Sequence, residues 1–362
     1  MTALLLIAGL VLLVLGGELL VRGASKLASS VGISPLVVGL TVVAFGTSAP
    51  ELAVSVQASF AGEVDIALGN VVGSNIFNVL FILGLSALIT PLLVASQMIR
   101  QEVPMMIGVS LLLLLLALDN RISQVEGGLF FALLLGYTTL LIRQSRRETK
   151  AVREEYEHEM HVEAKTWDDR LPAQIGLIVV GLVMLVFGAR FLVDGAIQIA
   201  TALGVSELII GLTIVAGGTS LPEVAASIAA ALKGQRDIAV GNVVGSNIFN
   251  ILCVLGLSAL VSPEGLAVSQ TLLEFDMIVM LAVAVACLPI FFTGSTIARW
   301  EGAVFLGYYI AYTTYLVLST QQSAMLDGFR VVMLGFVLPL TVLTLAVVSY
   351  RAWKMQRSGI LK

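Results

Sequence analysis

The chain has 362 residues, of which 58% are hydrophobic and only 12% carry a charged side chain. Soluble domains have about 25% charged residues, so this composition excludes a soluble enzyme, a nucleic-acid-binding protein and a secreted module. Apolar stretches of about twenty residues recur along the chain, and each is long enough to cross a hydrocarbon core of about 30 Å. The composition therefore predicts an all-α polytopic membrane protein.

Charges and turn residues divide the apolar sequence into eleven predicted membrane-spanning helices. The first apolar run has no basic region before it and no small-residue cleavage site after it, so we interpret it as a retained helix rather than a signal peptide. In chain order, the predicted spans are 3–21, 33–60, 66–90, 104–118, 124–142, 173–193, 205–232, 238–262, 272–293, 300–319 and 327–350.

The sequence contains a long internal repeat. Residues 9–91 align without a gap with residues 181–263, at a constant offset of 172. The block GNVVGSNIFN occurs in both copies, beginning at Gly69 and at Gly241, and GTSAPE in the first copy is matched by GTSLPE in the second. A repeat of this length is typical of the duplicated halves of secondary transporters. Because each half has five spans, the two halves are predicted to cross the membrane in opposite directions.

The repeat defines the predicted domain organisation. A solvated connector joins the two halves and contains seven basic and eight acidic residues. Its His158 and His161 lie one helical turn apart, which leaves a metal site there as an alternative. The predicted segments are a first repeat at 1–142, the connector at 143–172, a second repeat at 173–320, an additional span at 327–350 and a basic tail at 351–362.

The distribution of basic residues predicts the orientation in a cell (inner) membrane. With the N-terminus outside, 17 of the 20 Lys and Arg residues fall on the cytoplasmic side, together with the connector and the C-terminal tail. Only Arg121, Arg190 and Arg330 then lie outside. Aligned positions of the two repeats also differ in charge, since Arg22 corresponds to Asp194. Opposite flanking charges are what inverted insertion requires.

Two glutamates lie where acidic residues are costly. Glu51 and Glu223 occupy equivalent positions in the middle of spans two and seven, and an ionised carboxylate in the membrane costs several kcal/mol unless it is compensated. Pro50 and Pro222 precede them and remove a main-chain donor from each helix, so carbonyl groups are freed nearby. The duplicated position indicates one site shared by the two repeats.

Small polar residues surround both glutamates at helical spacing. We expect Asn75 and Asn247 to form hydrogen bonds with the broken helices, whereas helix packing is an alternative role for any Gly, Ser or Asn here. The residues that share a face with each glutamate, or that follow in the next span, are Ala44, Thr47, Ser48, Ser74 and Asn78 in the first repeat and Ala216, Thr219, Ser220, Ser246 and Asn250 in the second.

The chemistry of this set favours a hard cation. All the ligands are oxygens, and His and Cys are missing from the two motifs, which argues against zinc, copper and iron. Calcium takes six to eight oxygens, and two bidentate carboxylates with the carbonyls of Thr47 and Thr219 supply about six. Two ionised glutamates require two positive charges, either one Ca²⁺ or two Na⁺. A site that cannot stay empty and charged favours exchange over leak.

These paired motifs resemble the α-repeats of the calcium/cation antiporter superfamily, and most closely the prokaryotic and potassium-dependent sodium/calcium exchangers. The resemblance implies ten core helices in two inverted repeats, with broken helices two, three, seven and eight around a central site. It also implies that helices one and six slide across this bundle. By motif position, it assigns carboxylate ligands to Glu51 and Glu223, carbonyl ligands to Thr47 and Thr219, and further ligands to the serines and asparagines named above.

Two features depart from the family pattern. Many relatives have an aspartate at the position of Asn250, so this chain lacks a third carboxylate, which bears on ion stoichiometry and on K⁺ dependence. The eleventh span is the second departure, because it follows the duplication and has no counterpart in it.

The sequence therefore predicts a Na⁺/Ca²⁺ antiporter working by alternating access. H⁺/Ca²⁺ exchange through the same glutamates is the alternative within transport, and a membrane-embedded carboxylate enzyme is a more remote one. No bound cofactor is predicted, although K⁺ could accompany Ca²⁺ and Na⁺ as a transported ion. The predicted partners are inorganic cations and the lipid bilayer, without nucleic acid or a protein partner.

Overall fold

The computed structural model describes residues 2–145, 168, 170–203, 216–292 and 294–357, which form a bundle of long helices. Nine of the described helices are long and apolar enough to cross a bilayer, and a bent pair makes a tenth. The helices are α1 (Thr2–Val31), α2 (Pro35–Thr47 and Ala49–Ala61), α3 (Val64–Ile89), α4 (Met98–Asp119), α5 (Gln124–Ser145), α6 (Leu171–Ala202), α7 (Ala216–Gly218 and Leu221–Leu232), α8 (Arg236–Val261), α9 (Leu272–Phe292), α10 (Arg299–Thr320) and α11 (Met325–Val348).

This architecture confirms the prediction of an all-α polytopic membrane protein. The first part of the predicted span 205–232 lies outside the described residues, as do His158 and His161. The helix of α11 continues to Arg357, and no residue in its most apolar stretch is fully buried.

Two predicted helix ends were wrong, because α1 and α6 continue beyond the apolar sequence. α1 ends at Val31 rather than at residue 21, and α6 ends at Ala202 rather than at residue 193. Arg22 Nε lies 2.6 Å from Asp168 Oδ2, and Lys26 Nζ lies 3.7 Å from the other oxygen of the same carboxylate. The basic residues therefore lie on a continuing helix and bind the segment just before α6, rather than marking a loop.

Four short strands show how the repeats are oriented. β1 (Leu92–Leu93), before α4, pairs with β4 (Thr296–Ile297), and β2 (Arg121–Ile122), after α4, pairs with β3 (Leu266–Ala267). β1 and β2 lie at opposite ends of α4. β3 pairs with β2 and therefore lies at the opposite end of the bundle from β1, its counterpart in the repeat. Equivalent connections thus lie on opposite sides.

Glycines at intervals of seven residues bring α1 and α6 together along their length. They are Gly9, Gly16 and Gly23 on α1 and Gly181, Gly188 and Gly195 on α6. A Cβ at Gly9 would lie 2.8 Å from the main-chain oxygen of Gly188, and a Cβ at Gly16 would lie 2.9 Å from that of Gly181. Contacts at higher residue numbers on α1 are made with lower residue numbers on α6, so the two helices are antiparallel.

The most buried helices, α3 and α8, lie at the centre of the bundle, and 72% and 89% of the residues in their apolar stretches are buried. The expectation that helices three and eight are broken was wrong. Both are continuous, but each contains a π-helical segment, at Asn78–Leu83 in α3 and at Asn250–Leu255 in α8. Neither helix contains proline, so a widened turn replaces the break.

Candidate cation site

An interruption of helix α2 places Glu51 at the start of its second half. The two halves of α2 meet at Ser48, whose φ and ψ are −79° and 6°, and their axes are bent by 46°. Pro50 lies in the first turn of the second half, where its missing N–H costs nothing. Glu51 lies in this same turn, where the helix dipole favours a negative charge.

α7 repeats this arrangement with Ser220 at the N-cap, Pro222 in the first turn and Glu223 beside it. Ser220 has φ and ψ of −88° and 7°, close to the values at Ser48. The glutamate side chains are 0% and 1% exposed, and neither has a lysine or arginine partner within 4.0 Å in the part of the chain that the structure describes. Two buried carboxylates without a basic partner are costly when ionised, so they favour neutralisation by a bound cation or by a proton.

Two serines connect the repeats crosswise. Ser48 Oγ donates to Oε1 of Glu223 at 3.1 Å, although Ser48 belongs to the helix that carries Glu51. Ser220 Oγ donates to Oε1 of Glu51 at 2.9 Å, and it also lies 3.1 Å from Oγ of Ser74. Each serine therefore binds the glutamate of the other repeat, and the sequence-predicted members of α2, α3 and α7 meet at one place.

Four asparagines join α3 to α8 beside this point. Asn75 Nδ2 donates to the main-chain oxygen of Asn247 at 3.3 Å, and Asn247 Nδ2 donates to that of Asn75 at 3.2 Å. The prediction that these two residues bond the broken helices was therefore wrong, because α3 and α8 cross closely enough for them to bond each other. Asn78 Nδ2 donates to Oδ1 of Asn247, and Asn250 Nδ2 donates to Oδ1 of Asn75, each at 3.0 Å.

These contacts leave a set of oxygens without hydrogen bonds. Each of these atoms is buried and finds no partner among the described residues, which is costly for a polar atom. Three of the eight, Oγ of Ser25, Ser86 and Ser258, lie outside the proposed ligand set. The other five belong to residues that the sequence proposed as ligands, and they come from both repeats. They are Oε2 of Glu51, Oε2 of Glu223, Oδ1 of Asn78, Oδ1 of Asn250 and Oγ of Ser246. Such oxygens fit a hard cation, because coordination to the cation replaces the missing hydrogen bond.

The hydroxyl groups of the two threonines bond asparagines of the opposite repeat. Thr47 Oγ1 donates to Oδ1 of Asn242 at 3.2 Å, and Thr219 Oγ1 donates to Oδ1 of Asn70 at 3.3 Å. Ala44 is fully buried and lies one turn before Ser48, where α2 bends. Ala216 begins the described part of α7.

Sequence reasoning missed Asn70 and Asn242, which bind both threonines. It also missed Ser55 and Ser227, whose hydroxyls lie 2.9 Å from the amide nitrogens of Asn70 and Asn242, respectively. All four positions are duplicated at the same offset of 172 as the glutamates, and both asparagines belong to the repeated block GNVVGSNIFN. Their identity in both halves was the signal that could have found them.

The comparisons with known proteins identify the family of this chain. The sequence profile of the family described as sodium/calcium exchanger protein matches residues 1–143 and 173–318, which contain both repeats. The chain belongs to the sodium/calcium exchanger family. As a member of this family it is a membrane cation antiporter and not an enzyme.

Two relatives and one solved structure match this chain over nearly their whole length. The putative antiporter CaxA of Alkalimonas amylolytica is 40% identical over 319 residues, which are 87% of this chain and 98% of the relative. The sodium/calcium exchanger MaX1 of Methanosarcina acetivorans is 36% identical over 86% of this chain and 97% of its own. A structure of the sodium-calcium exchanger NCX_Mj soaked with Na⁺ and Sr²⁺ superposes with a TM-score of 0.73 at 31% identity, covering 85% of this chain and 96% of that one.

The crosswise serines provide a direct test of the site. Replacing Ser48 by alanine removes the donor to Glu223, and a hydrogen bond to a charged group is worth about 1.5–3 kcal/mol. We expect Ser48→Ala to weaken Ca²⁺ binding by about tenfold or more, as measured by isothermal titration calorimetry in detergent. Ser110→Ala is the matched control, because Ser110 is also buried but donates only to the main-chain oxygen of Met106. Equal affinities of the two variants would contradict the role of Ser48.

Proposed function

We propose that this antiporter exchanges Na⁺ for Ca²⁺ at a site formed by Glu51, Glu223 and the polar residues around them. The observation that carries the proposal is that five of the buried oxygens without partners belong to the proposed ligands and include one carboxylate oxygen from each repeat. These five oxygens belong to α2, α3, α7 and α8. Two carboxylates match the charge of one Ca²⁺ or of two Na⁺, and a set composed only of oxygens suits both ions.

The proposed ligands are the residues predicted from the sequence. Glu51 and Glu223 supply carboxylates, Thr47 and Thr219 supply main-chain carbonyls, and Ala44 and Ala216 supply further carbonyls for Na⁺. Side-chain oxygens complete the set and come from Ser48, Ser74, Asn78, Ser220, Ser246 and Asn250. The names of MaX1 and NCX_Mj as sodium/calcium exchangers support this choice of ions over H⁺.

The proposed orientation has the N-terminus outside the cell membrane and the connector and C-terminal tail in the cytoplasm. In this orientation the sheet formed by β1 and β4 lies on the cytoplasmic side, and the sheet formed by β2 and β3 lies outside. This assignment agrees with the excess of Lys and Arg in the cytoplasmic connections.

Ion-driven uptake tests the function. Proteoliposomes loaded with Na⁺ and diluted into Na⁺-free medium should accumulate ⁴⁵Ca²⁺, and uptake should stop when a Na⁺ ionophore dissipates the gradient. Liposomes with the same internal and external Na⁺ are the control. Uptake that follows an imposed pH gradient but not the Na⁺ gradient would show H⁺/Ca²⁺ exchange instead. Adding K⁺ to the Ca²⁺ compartment shows whether K⁺ is transported with Ca²⁺.

A further inference from the structure

Two asparagines outside the proposed ligand set link each glutamate to the opposite repeat. Asn70, on α3, donates from Nδ2 to the main-chain oxygen of Glu51 at 3.2 Å and to Oγ of Ser55 at 2.9 Å. Its Oδ1 lies 3.3 Å from the hydroxyl of Thr219, which belongs to α7 of the other repeat. One side chain therefore holds the turn that carries Glu51 and the break that precedes Glu223.

Asn242 makes the equivalent contacts on the other side of the site. Its Nδ2 donates to the main-chain oxygen of Glu223 at 3.4 Å and to Oγ of Ser227 at 2.9 Å. Its Oδ1 accepts from the hydroxyl of Thr47, on α2, at 3.2 Å. Asn242 is fully buried, so these bonds do not compete with water. The same three contacts thus occur twice, with the repeats exchanged.

Only an amide of this length meets these requirements. The main-chain oxygen and the serine hydroxyl accept from the asparagine NH₂, while the threonine hydroxyl donates to its carbonyl oxygen, so the side chain must donate and accept at once. Aspartate lacks the donors and leucine lacks both functions. Each asparagine therefore sets the distance between the carboxylate of one repeat and the threonine carbonyl of the other.

We propose that Asn70 and Asn242 are positioning residues that fix the spacing of the two half-sites and thereby favour Ca²⁺ over Na⁺. The inference rests on the proposed function, because it takes Glu51 and Glu223 as ligands. One Ca²⁺ must bind oxygens of both repeats at the same time, so it depends on their spacing. A Na⁺ ion needs only one carboxylate, so two Na⁺ tolerate a change in the spacing.

Equilibrium binding of ⁴⁵Ca²⁺ to the purified full-length chain, with Na⁺ as competitor, tests this inference. We expect Asn70→Leu and Asn242→Leu each to weaken Ca²⁺ binding by about tenfold and Na⁺ binding by less than about threefold. Ser59→Ala is the matched control, because Ser59 is buried on the same half-helix as Glu51 but donates to the main-chain oxygen of Ser55. The control should leave both affinities unchanged.

Thr219→Val provides a milder variant that keeps the shape and the main-chain carbonyl but removes the hydroxyl that bonds Asn70. It should reproduce part of the Ca²⁺ loss, and the double variant with Asn70→Leu should bind Ca²⁺ no more weakly than Asn70→Leu alone. Equal losses for Ca²⁺ and Na⁺, or additive effects of the two substitutions, would overturn the inference and leave a role in packing only.

The binding measurements separate this inference from the proposed exchange. Wild-type protein that binds Ca²⁺ but shows no Na⁺-driven uptake would overturn the proposed exchange. The ion affinities of the asparagine variants would still test the positioning role of Asn70 and Asn242. Wild-type uptake together with unchanged Ca²⁺ affinity in folded Asn70→Leu and Asn242→Leu would overturn the inference alone. Wild-type protein that binds neither ion would overturn both.

Discussion

Replacing Glu51 by glutamine is expected to weaken Ca²⁺ binding by at least about a hundredfold and to abolish Na⁺-driven Ca²⁺ uptake. Glutamine has the size of glutamate, and its side-chain oxygen can still accept the bond from Ser220 that Oε1 accepts now. The substitution therefore removes charge rather than shape. Because the number of charged ligands strongly affects Ca²⁺ affinity, the loss should be large. Calorimetry of the purified variant and ⁴⁵Ca²⁺ uptake into proteoliposomes measure the two effects.

Glu102→Gln is the matched control for a buried carboxylate outside the site. Glu102 is 2% exposed, but it accepts from the hydroxyl of Tyr137 at 2.8 Å and from the amide of Gln97 at 3.0 Å. Both of its oxygens are thus bonded, whereas Oε2 of Glu51 has no partner among the described residues. We expect Ca²⁺ affinity within about threefold of the wild type for this control.

Glu223→Gln should match Glu51→Gln in magnitude, because the two glutamates hold equivalent positions and receive equivalent serine bonds. Normal Ca²⁺ uptake by a monodisperse Glu51→Gln protein would therefore rule out the site proposed above.

The sequence predicted the fold, and the grouping of the polar residues around Glu51 and Glu223, because the motifs that determine them occur in both repeats. Two copies of one motif at a fixed offset required two equivalent half-sites, and an odd number of spans required inversion. The pairing of β1 with β4 and of β2 with β3 agrees with this inversion. Burial of Glu51 and Glu223 followed from the same reasoning, because intramembrane acids face the interior of a bundle.

Contacts between helices were harder to predict, because periodicity gives the face of a residue but not its neighbour. Asn75 and Asn247 were expected to bond the broken helices, and they bond each other instead. Asn70 and Asn242 were not singled out, although each binds both repeats. These bonds depend on how α3 and α8 cross their neighbours, and the geometry of helix crossing cannot be read directly from a single sequence.

Helix ends were misplaced for a different physical reason. A charged residue marks the edge of the hydrocarbon core, but a helix need not end there. α1 continues to Val31, and Arg22 and Lys26 lie on this continuation, where they bind Asp168. Hydropathy therefore predicted the apolar parts of α1 and α6 and underestimated how far the two helices continue beyond them.

The glycines between α1 and α6 lead to a prediction about stability. A Cβ at Gly181 would lie 2.7 Å from the main-chain nitrogen of Leu20 and 2.8 Å from the main-chain oxygen of Gly16. Gly181→Ala therefore forces two helices apart, and overpacking of this kind costs about 1–3 kcal/mol. We expect a lower midpoint of thermal unfolding in detergent, measured by intrinsic fluorescence, and reduced Ca²⁺ uptake.

Gly176→Ala is the matched control on the same helix. Gly176 is exposed, and a Cβ at this position would meet no atom within 4 Å. Because alanine favours a helix by about 1 kcal/mol over glycine, this control should be as stable as the wild type or slightly more stable. An unchanged unfolding midpoint for Gly181→Ala would contradict close packing of α1 on α6.

A second glycine distinguishes main-chain contact from side-chain contact. A Cβ at Gly46, beside the break in α2, would meet the methyl groups of Leu182 on α6 at 2.6 and 2.7 Å. The damage from Gly46→Ala should therefore be relieved when Leu182→Ala is added, because the clashing atoms are removed. Leu20→Ala should not relieve Gly181→Ala, since the atoms in the way belong to the main chain. Suppose that Leu182→Ala rescues Gly46→Ala but Leu20→Ala does not rescue Gly181→Ala. The result would show that α1 and α6 pack at a main-chain distance that only glycine permits. It would also show that α6 packs against α2 through side chains that can be shortened.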